Sequence, residues 1–274
     1  MTKLPLSPLF PLVFFAGSAL AQENPPSAPL WDVGLFAVGV SQQAYPGAAE
    51  RINRGLVVPT VYYRGKYLRA DGDGAGIRAI KTPRFEFDIG FAAAFGSRSD
   101  EVEIRRGMPE LGTMVEFGPR AKWNLGSYTD GRLRAEFPLR GVFDLSDSFR
   151  QKGVAFEPKL IWERRVRDGW SYNASIGALI GDRKLNDTFY GVAPAHARAG
   201  RPAYVADSGL IAVRLAAGVS HAVGKDWRVF LFTRIDDVGA AANKDSPLMQ
   251  KKTGGSVGFG LSYTILRSKA AASD

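Results

Sequence analysis

The side chains equipped for chemistry in this chain are carboxylates, guanidinium and ammonium groups and two imidazoles; cysteine is absent. Catalysis and metal binding need such groups at set spacings, and those spacings are missing. His196 and His221 stand in no metal-ligand pattern with each other or with an acid. No G-x-S-x-G elbow occurs. A Ser, His and Asp drawn from three separate strands would leave no motif, and substituting each histidine in turn tests that case. Asp71-Gly72-Asp73-Gly74 begins like a calcium loop, but the position that must be Glu is Thr82, so the stretch reads as a hairpin turn. The glycines of 72–76 and 254–260 precede no helix and build no phosphate cradle. The expectation is a protein with no catalytic residues, no metal and no cofactor.

The ionisable groups that remain recur at every second residue within apolar runs. Glu86, Asp88, Glu116, Arg120, Lys122, Arg132, Arg134, Glu136, Arg140, Glu157, Lys159, Glu163, Arg165, Arg228, Arg234 and Asp236 share this pattern. In 84–95, Phe85, Phe87, Ile89 and Phe91 alternate with Arg84, Glu86 and Asp88, the two-residue period of a β-strand. Segments 115–124, 132–144, 154–166 and 256–265 do the same. Runs of about 10 to 13 residues exceed the usual globular strand and match a tilted strand crossing a membrane. With charges of both signs at similar density on the inward face, the expected interior is a paired, largely closed network rather than a one-signed pore.

The beginning of the chain bears on compartment. Lys3, the apolar run Leu9–Leu20 and Ala19-Leu20-Ala21 form a secretory signal, with cleavage expected after Ala21. The run is too short to span a bilayer and is broken by Pro11. A net charge of +9 is spread among acids without a basic run, which argues against nucleic acid as a partner of an exported chain. The sequence therefore divides into a signal peptide, 1–21, and one β-barrel unit, 22–274, with a periplasmic segment at 22–30 and a tail at 267–274.

Strands are expected near 31–41, 55–64, 66–70, 75–81, 84–95, 111–124, 131–143, 154–166, 169–180, 207–221, 227–237 and 254–266. Twelve is the even number this gives, or ten if 66–81 is only an extended hairpin. Alternate connections are short: Gly65, Thr82-Pro83, 125–130, Arg167-Asp168 and 222–226. The others are mostly long: 42–54, 96–110, 144–153, 181–206 and 238–253. Short turns on one side and long loops on the other mark an outer-membrane β-barrel whose short side is periplasmic. Pro119, Pro138 and Pro158 fall within strands and require bulges or breaks. Trp31, Tyr62, Tyr63, Tyr67, Trp123, Trp162, Trp170, Trp227 and Tyr263 lie near strand ends, as interface girdles do.

The stretch 189–209, "FYGVAPAHARAGRPAYVADSG", shows neither period over most of its length. Tyr190, Arg198, Arg201, Tyr204 and Asp207 are expected to make it a lumen plug or surface cap, with the arginines reaching luminal carboxylates such as Glu116 or Glu157.

The phrases Tyr45-Pro46-Gly47, Tyr63-Arg64-Gly65, Arg84-Phe85-Glu86-Phe87-Asp88, Arg106-Gly107-Met108-Pro109-Glu110-Leu111, Glu116-Phe117-Gly118-Pro119, Phe156-Glu157-Pro158 and Arg201-Pro202-Ala203-Tyr204, in this order, resemble the MipA/OmpV family of outer-membrane proteins. The resemblance covers nearly all of the region after Ala21. It implies a non-enzymatic barrel in contact with membrane lipid and lipopolysaccharide and inserted by the barrel assembly machinery. It further implies a scaffold joining a lytic transglycosylase to a murein synthase; an adhesin or antigen, or a small-solute pore with a plugged lumen, are the alternatives. Members tend to end on an aromatic, whereas here Gly260-x-x-Tyr263-x-Ile265 is followed by the tail from Arg267.

Overall fold

The computed structural model describes residues 29–66, 68–71, 74–166 and 168–272. The expected signal peptide, most of the 22–30 segment, Gly72-Asp73 of the acidic turn and the end of the tail lie outside the described residues. The strands are β1 (Trp31–Gln43), β2 (Arg51–Arg64), β3 (Leu68–Asp71), β4 (Gly74–Lys81), β5 (Phe85–Ala94), β6 (Met114–Tyr128) and β7 (Gly131–Asp144). They continue as β8 (Arg150–Phe156), β9 (Lys159–Arg165), β10 (Trp170–Gly181), β11 (Gly209–Val223), β12 (Trp227–Asp237) and β13 (Thr253–Arg267). Each pairs antiparallel with its neighbours, and β13 returns to β1 from Asp32↔Arg267 to Ser41↔Val257, closing the sheet.

The strands β8 and β9 form one stave of the wall. Leu139↔Phe156 and Glu136↔Lys159 keep a single register along β7, and Gly181↔Ala155 and Gly177↔Lys159 keep another along β10. The ladder breaks because Pro158 has no N–H to donate and Pro138 stands in the facing strand. Their carbonyls are still used: Glu157 N–H donates to Pro138 at 3.1 Å, and Ala178 N–H to Pro158 at 3.0 Å. The barrel thus has twelve staves, the expected number. Pairing of β6 with β7 skips Gly118-Pro119 without a register change, and the bulge falls instead between Asn124 and Gly126.

Closure pairs nearly all strand edges, as crossing hydrocarbon with strands requires; the exception is β2, which meets the short β3 only at Tyr63 and Arg64. Side chains are sorted inside out: Asp88, Lys122, Glu136, Arg140 and Asp236 are buried in the lumen, while Val57, Ile77, Phe91, Leu215 and Phe259 are exposed on the outer face. Aromatics ring the short-turn end, with Trp227 on Tyr263 at 4.5 Å, Trp170 on His221 at 4.4 Å and Phe85 against Trp123 at 5.5 Å.

Several boundaries differ from expectation. Strand β2 begins at Arg51 and β8 at Arg150, which shortens the long-side connections before them. Strand β6 starts at Met114 because Leu111 is taken by a bridge to Ser97. It runs on to Tyr128, leaving Thr129-Asp130 as a two-residue turn with φ of 47° and 56° at its centre, the twist that suits a tight hairpin. The connection 182–208 is not wholly irregular. It contains a helix, α1 (Arg183–Tyr190), capped by the Asp182 carboxylate accepting from Leu185 N–H, as a helix start requires.

Candidate functional site: a capped lumen

The long connections fold across the barrel mouth and share one apolar core. Tyr45 and Ala48 from 44–50, Val102, Met108 and Leu111 from 95–113, Leu185, Tyr190, Val192 and Ala206 from 182–208, and Val238, Ala241 and Leu248 from 238–252 pack together. They rest on Ile52, Met114, Val142, Ala155, Leu179 and Ile211, the inward residues at the outer strand ends. Burial of this apolar surface is the main drive for closure. Tyr190 is 0% exposed, with its ring edge-on to Tyr45 at 6.3 Å.

Directional bonds fix which loop meets which. Tyr190 O–H donates to Pro46 O at 3.0 Å and Tyr45 O–H to Leu248 O at 2.7 Å. The Ser246 hydroxyl donates to Tyr190 O at 2.7 Å, and the Asn243 amide to Asn186 Oδ1 at 2.9 Å. Burial pushes both tyrosine hydroxyls well above their usual pKa, so both remain donors. Arg105 is 3% exposed, under the Tyr45 ring, and donates to the carbonyls of Phe189 and Pro109. That burial lowers its pKa to about 10, which leaves it a cation.

Below the cap an ionic belt crosses the lumen. Arg140 bridges Glu116 and Glu157; Arg214 bridges Glu157 at 2.8 Å and Asp236 at 3.1 Å; Arg234 meets Asp236 at 3.2 Å. A second cluster fills the β4–β9 side. Asp88 receives a two-pronged bond from Arg120 and an ion pair from Lys122, which also meets Glu86. Arg134 joins Glu136 and Glu163, and Lys159 reaches Glu136 at 3.6 Å. Each charge finds opposite charges, which such burial demands.

Most inward residues foreseen from periodicity therefore occupy two groups; Arg132 stands opposite Glu163 in the β7–β9 ladder, and Arg165 and Arg228 line the cavity. The alternation missed Arg214, the hub of the belt, although a lone arginine in "GLIAVRLAAGV" at an inward position was its signal. It also missed Asp32 and Arg64, paired at 2.7 Å near the short-turn end. The loop arginines do not reach Glu116 or Glu157. Arg201 donates to the carbonyls of His196, Ile104 and Arg106, and Arg198 to Glu103 O. They stay in the cap because Arg140 and Arg214 already satisfy those carboxylates. Tyr204 O–H meets Asn243 at 3.3 Å, and Asp207 pairs with Arg183 at the surface.

A cavity of about 1040 Å³ lies under the cap and extends to the short-turn residues Gly169, Gly224 and Lys225. Among the described residues no group of His, Asp and Glu is placed to hold a metal ion, and His196 and His221 lie at opposite ends of the molecule's strands, one in the cap and one on the outer face of β11.

Among solved structures the chain is similar to a NanC porin (10% identity, 84% of this chain and 100% of that one, TM-score 0.41) and to a bacterial polysaccharide outer membrane secretin (8%, 89% and 100%, 0.45). It is also similar to an active-site mutant of outer membrane phospholipase A from Escherichia coli (10%, 93% and 97%, 0.39). No curated protein matches the sequence at significant similarity. The model of one family, described as MltA-interacting protein MipA, matches residues 33–265. With the closed, inside-out barrel, that match makes this chain an outer-membrane β-barrel protein that belongs to the MipA family.

Proposed function

We propose that this barrel is a non-enzymatic adaptor of the outer membrane, holding murein-degrading and murein-synthesising enzymes at its periplasmic rim. The observation that carries the reading is the cap: four loops joined by a buried apolar core close the outer mouth, an arrangement suited to anchoring rather than to passage. The family description names MltA as the interacting protein, and a lytic transglycosylase of that kind works on the periplasmic side. In this reading the aromatic girdle and apolar outer face engage lipid and lipopolysaccharide, and the barrel assembly machinery inserts the chain after its signal peptide is removed.

The rim available to partners is small. It consists of the short turns and of the seam where Pro29-Leu30 runs beside Ala270-Ala271, Leu30 N–H donating to Ala270 O at 2.8 Å. Co-isolation of a lytic transglycosylase and a bifunctional murein synthase with the tagged barrel from detergent extracts tests the proposal. Enrichment over an unrelated outer-membrane barrel is expected, and equal recovery on both overturns it.

A further inference from the structure

The lumen has two unlike walls. The second ionic cluster fills the β4–β9 side, and the cavity, bordered by the belt, lies mainly against the other side, built by β1, β2 and β10 to β13. There the inward residues of β12 run Arg228, Phe230, Phe232, Arg234 and Asp236, with successive inward positions about 6.8 Å apart in an antiparallel strand. Phe230 stacks on Phe36 at 5.3 Å with an interplanar angle of 11°, and Val40 and Val58 continue the apolar surface. Gly258 and Gly260 make this ledge possible: a Cβ on either would run into the ring of Phe232 or Phe230. The rings lie flat against β13, leaving the space in front of them empty.

Charge is unevenly spent around this ledge. Nine Lys and Arg against five Asp and Glu line the cavity. All five acids are already engaged: Asp32 by Arg64, Glu116 and Glu157 by Arg140, Asp236 by Arg214 and Arg234, and Asp226 by Arg267. Arg228 is left with the Ser220 hydroxyl at 3.2 Å and ion-pairs with no carboxylate among the described residues. Ser220 is 1% exposed, and Ser262 faces Arg228 across the ladder. A guanidinium beside hydroxyls at one end of an aromatic ledge is a receptor for one planar anion on an apolar body.

We propose that the luminal cavity binds an aromatic carboxylate, its ring on Phe36, Phe230 and Phe232 and its carboxylate on Arg228, entering from the periplasmic end because the cap closes the other. The cation excess disfavours a cationic occupant, and a neutral one would leave Arg228 without a counter-charge. Lys225, in the turn before β12, also lines the cavity but is solvent-exposed, so the one guanidinium on the ledge fits a monoanion.

The test uses the full barrel in lipid nanodiscs, titrated with naphthoate and, in parallel, with the neutral naphthylmethanol; protein-free nanodiscs correct for partition into lipid. Saturable binding of one naphthoate per barrel is expected. Arg228→Gln should weaken naphthoate about tenfold, the size of a lost charge-assisted hydrogen bond, and leave naphthylmethanol within about twofold. Phe230→Ala should weaken both probes, and Gly258→Ala, which drives the Phe232 ring into the cavity, should weaken both again. Heat-modifiable mobility on gels identifies the variants that fold, and Arg228→Gln, at a partly open site, decides the matter if the others do not. Uptake no greater than in empty nanodiscs, or naphthoate affinity unchanged by Arg228→Gln in the folded barrel, overturns the proposal.

Discussion

The cap and the lumen are neighbours built on opposite principles. Above the belt, Tyr45, Val102, Tyr190 and Leu248 meet as the core of a water-soluble domain would, with hydroxyls and amides choosing the partners. In the belt, Glu157, Arg214 and Asp236 hold the strands by charge, and apart from the Phe36–Phe230 ledge the large apolar side chains of the strands mostly face outward. Among the described residues the contiguous apolar core lies at the cap. The cap is held by packing against strand ends that are already paired elsewhere, so the two regions should fail separately.

The largest expected effect comes from the cap's central ring. Tyr190→Ala leaves a cavity costing about 3–5 kcal/mol and orphans the Pro46 carbonyl for about 1 kcal/mol more. Limited proteolysis should then cut within 182–208 while the barrel keeps its heat-modifiable mobility. Concerted loss of both would contradict the separation. Next is the belt. Glu157→Gln removes the acid shared by Arg140 and Arg214 and should cost about 3–5 kcal/mol, as breaking a buried ion pair does. Denaturant unfolding of the whole barrel should shift, with the cap still protected from protease at low denaturant.

Acid sharpens the contrast from the loop side. Hydrogen bonds from Arg54 and from the Arg98 backbone hold Glu101 below its usual value of 4.5. A depressed carboxylate contributes its stability above the unfolded value and loses it as the pH falls toward the folded one. Hydrogen-exchange protection in 97–111, corrected for the intrinsic pH dependence of exchange, should therefore be constant from about pH 7 to about pH 5 and fall below about pH 4.5. The smallest effect is expected at Arg183, whose pair with Asp207 is 70% and 73% exposed. Arg183→Ala should change stability by less than about 0.5 kcal/mol in the same unfolding assay.

The wall was legible in the sequence because a strand with one face in lipid and one in a charged lumen must alternate, and 84–95 and 132–144 do so without exception over most of their length. Pro158 was legible as a break, since its missing donor acts locally. The sequence singled out 189–209 as a plug or cap but did not display the contacts that build it. They join residues far apart in the chain, such as Tyr45 to Leu248 and Asn186 to Asn243, and no period links them. The helix Arg183–Tyr190 was short enough to hide in a loop, though Asp182 as its cap and Leu185 with Phe189 one turn apart were available as signals. For the loop arginines, sequence suggested charge as the partner; backbone carbonyls satisfied them instead, and Glu116 and Glu157 were taken by Arg140 and Arg214.

Single-channel recording in planar bilayers tests the central claim, that the loops seal the outer mouth through a core independent of the barrel. The wild-type barrel is predicted to pass no stepwise current, and Tyr190→Ala, still folded, to pass current through the freed lumen. Wild-type conductance equal to that of Tyr190→Ala would contradict the account.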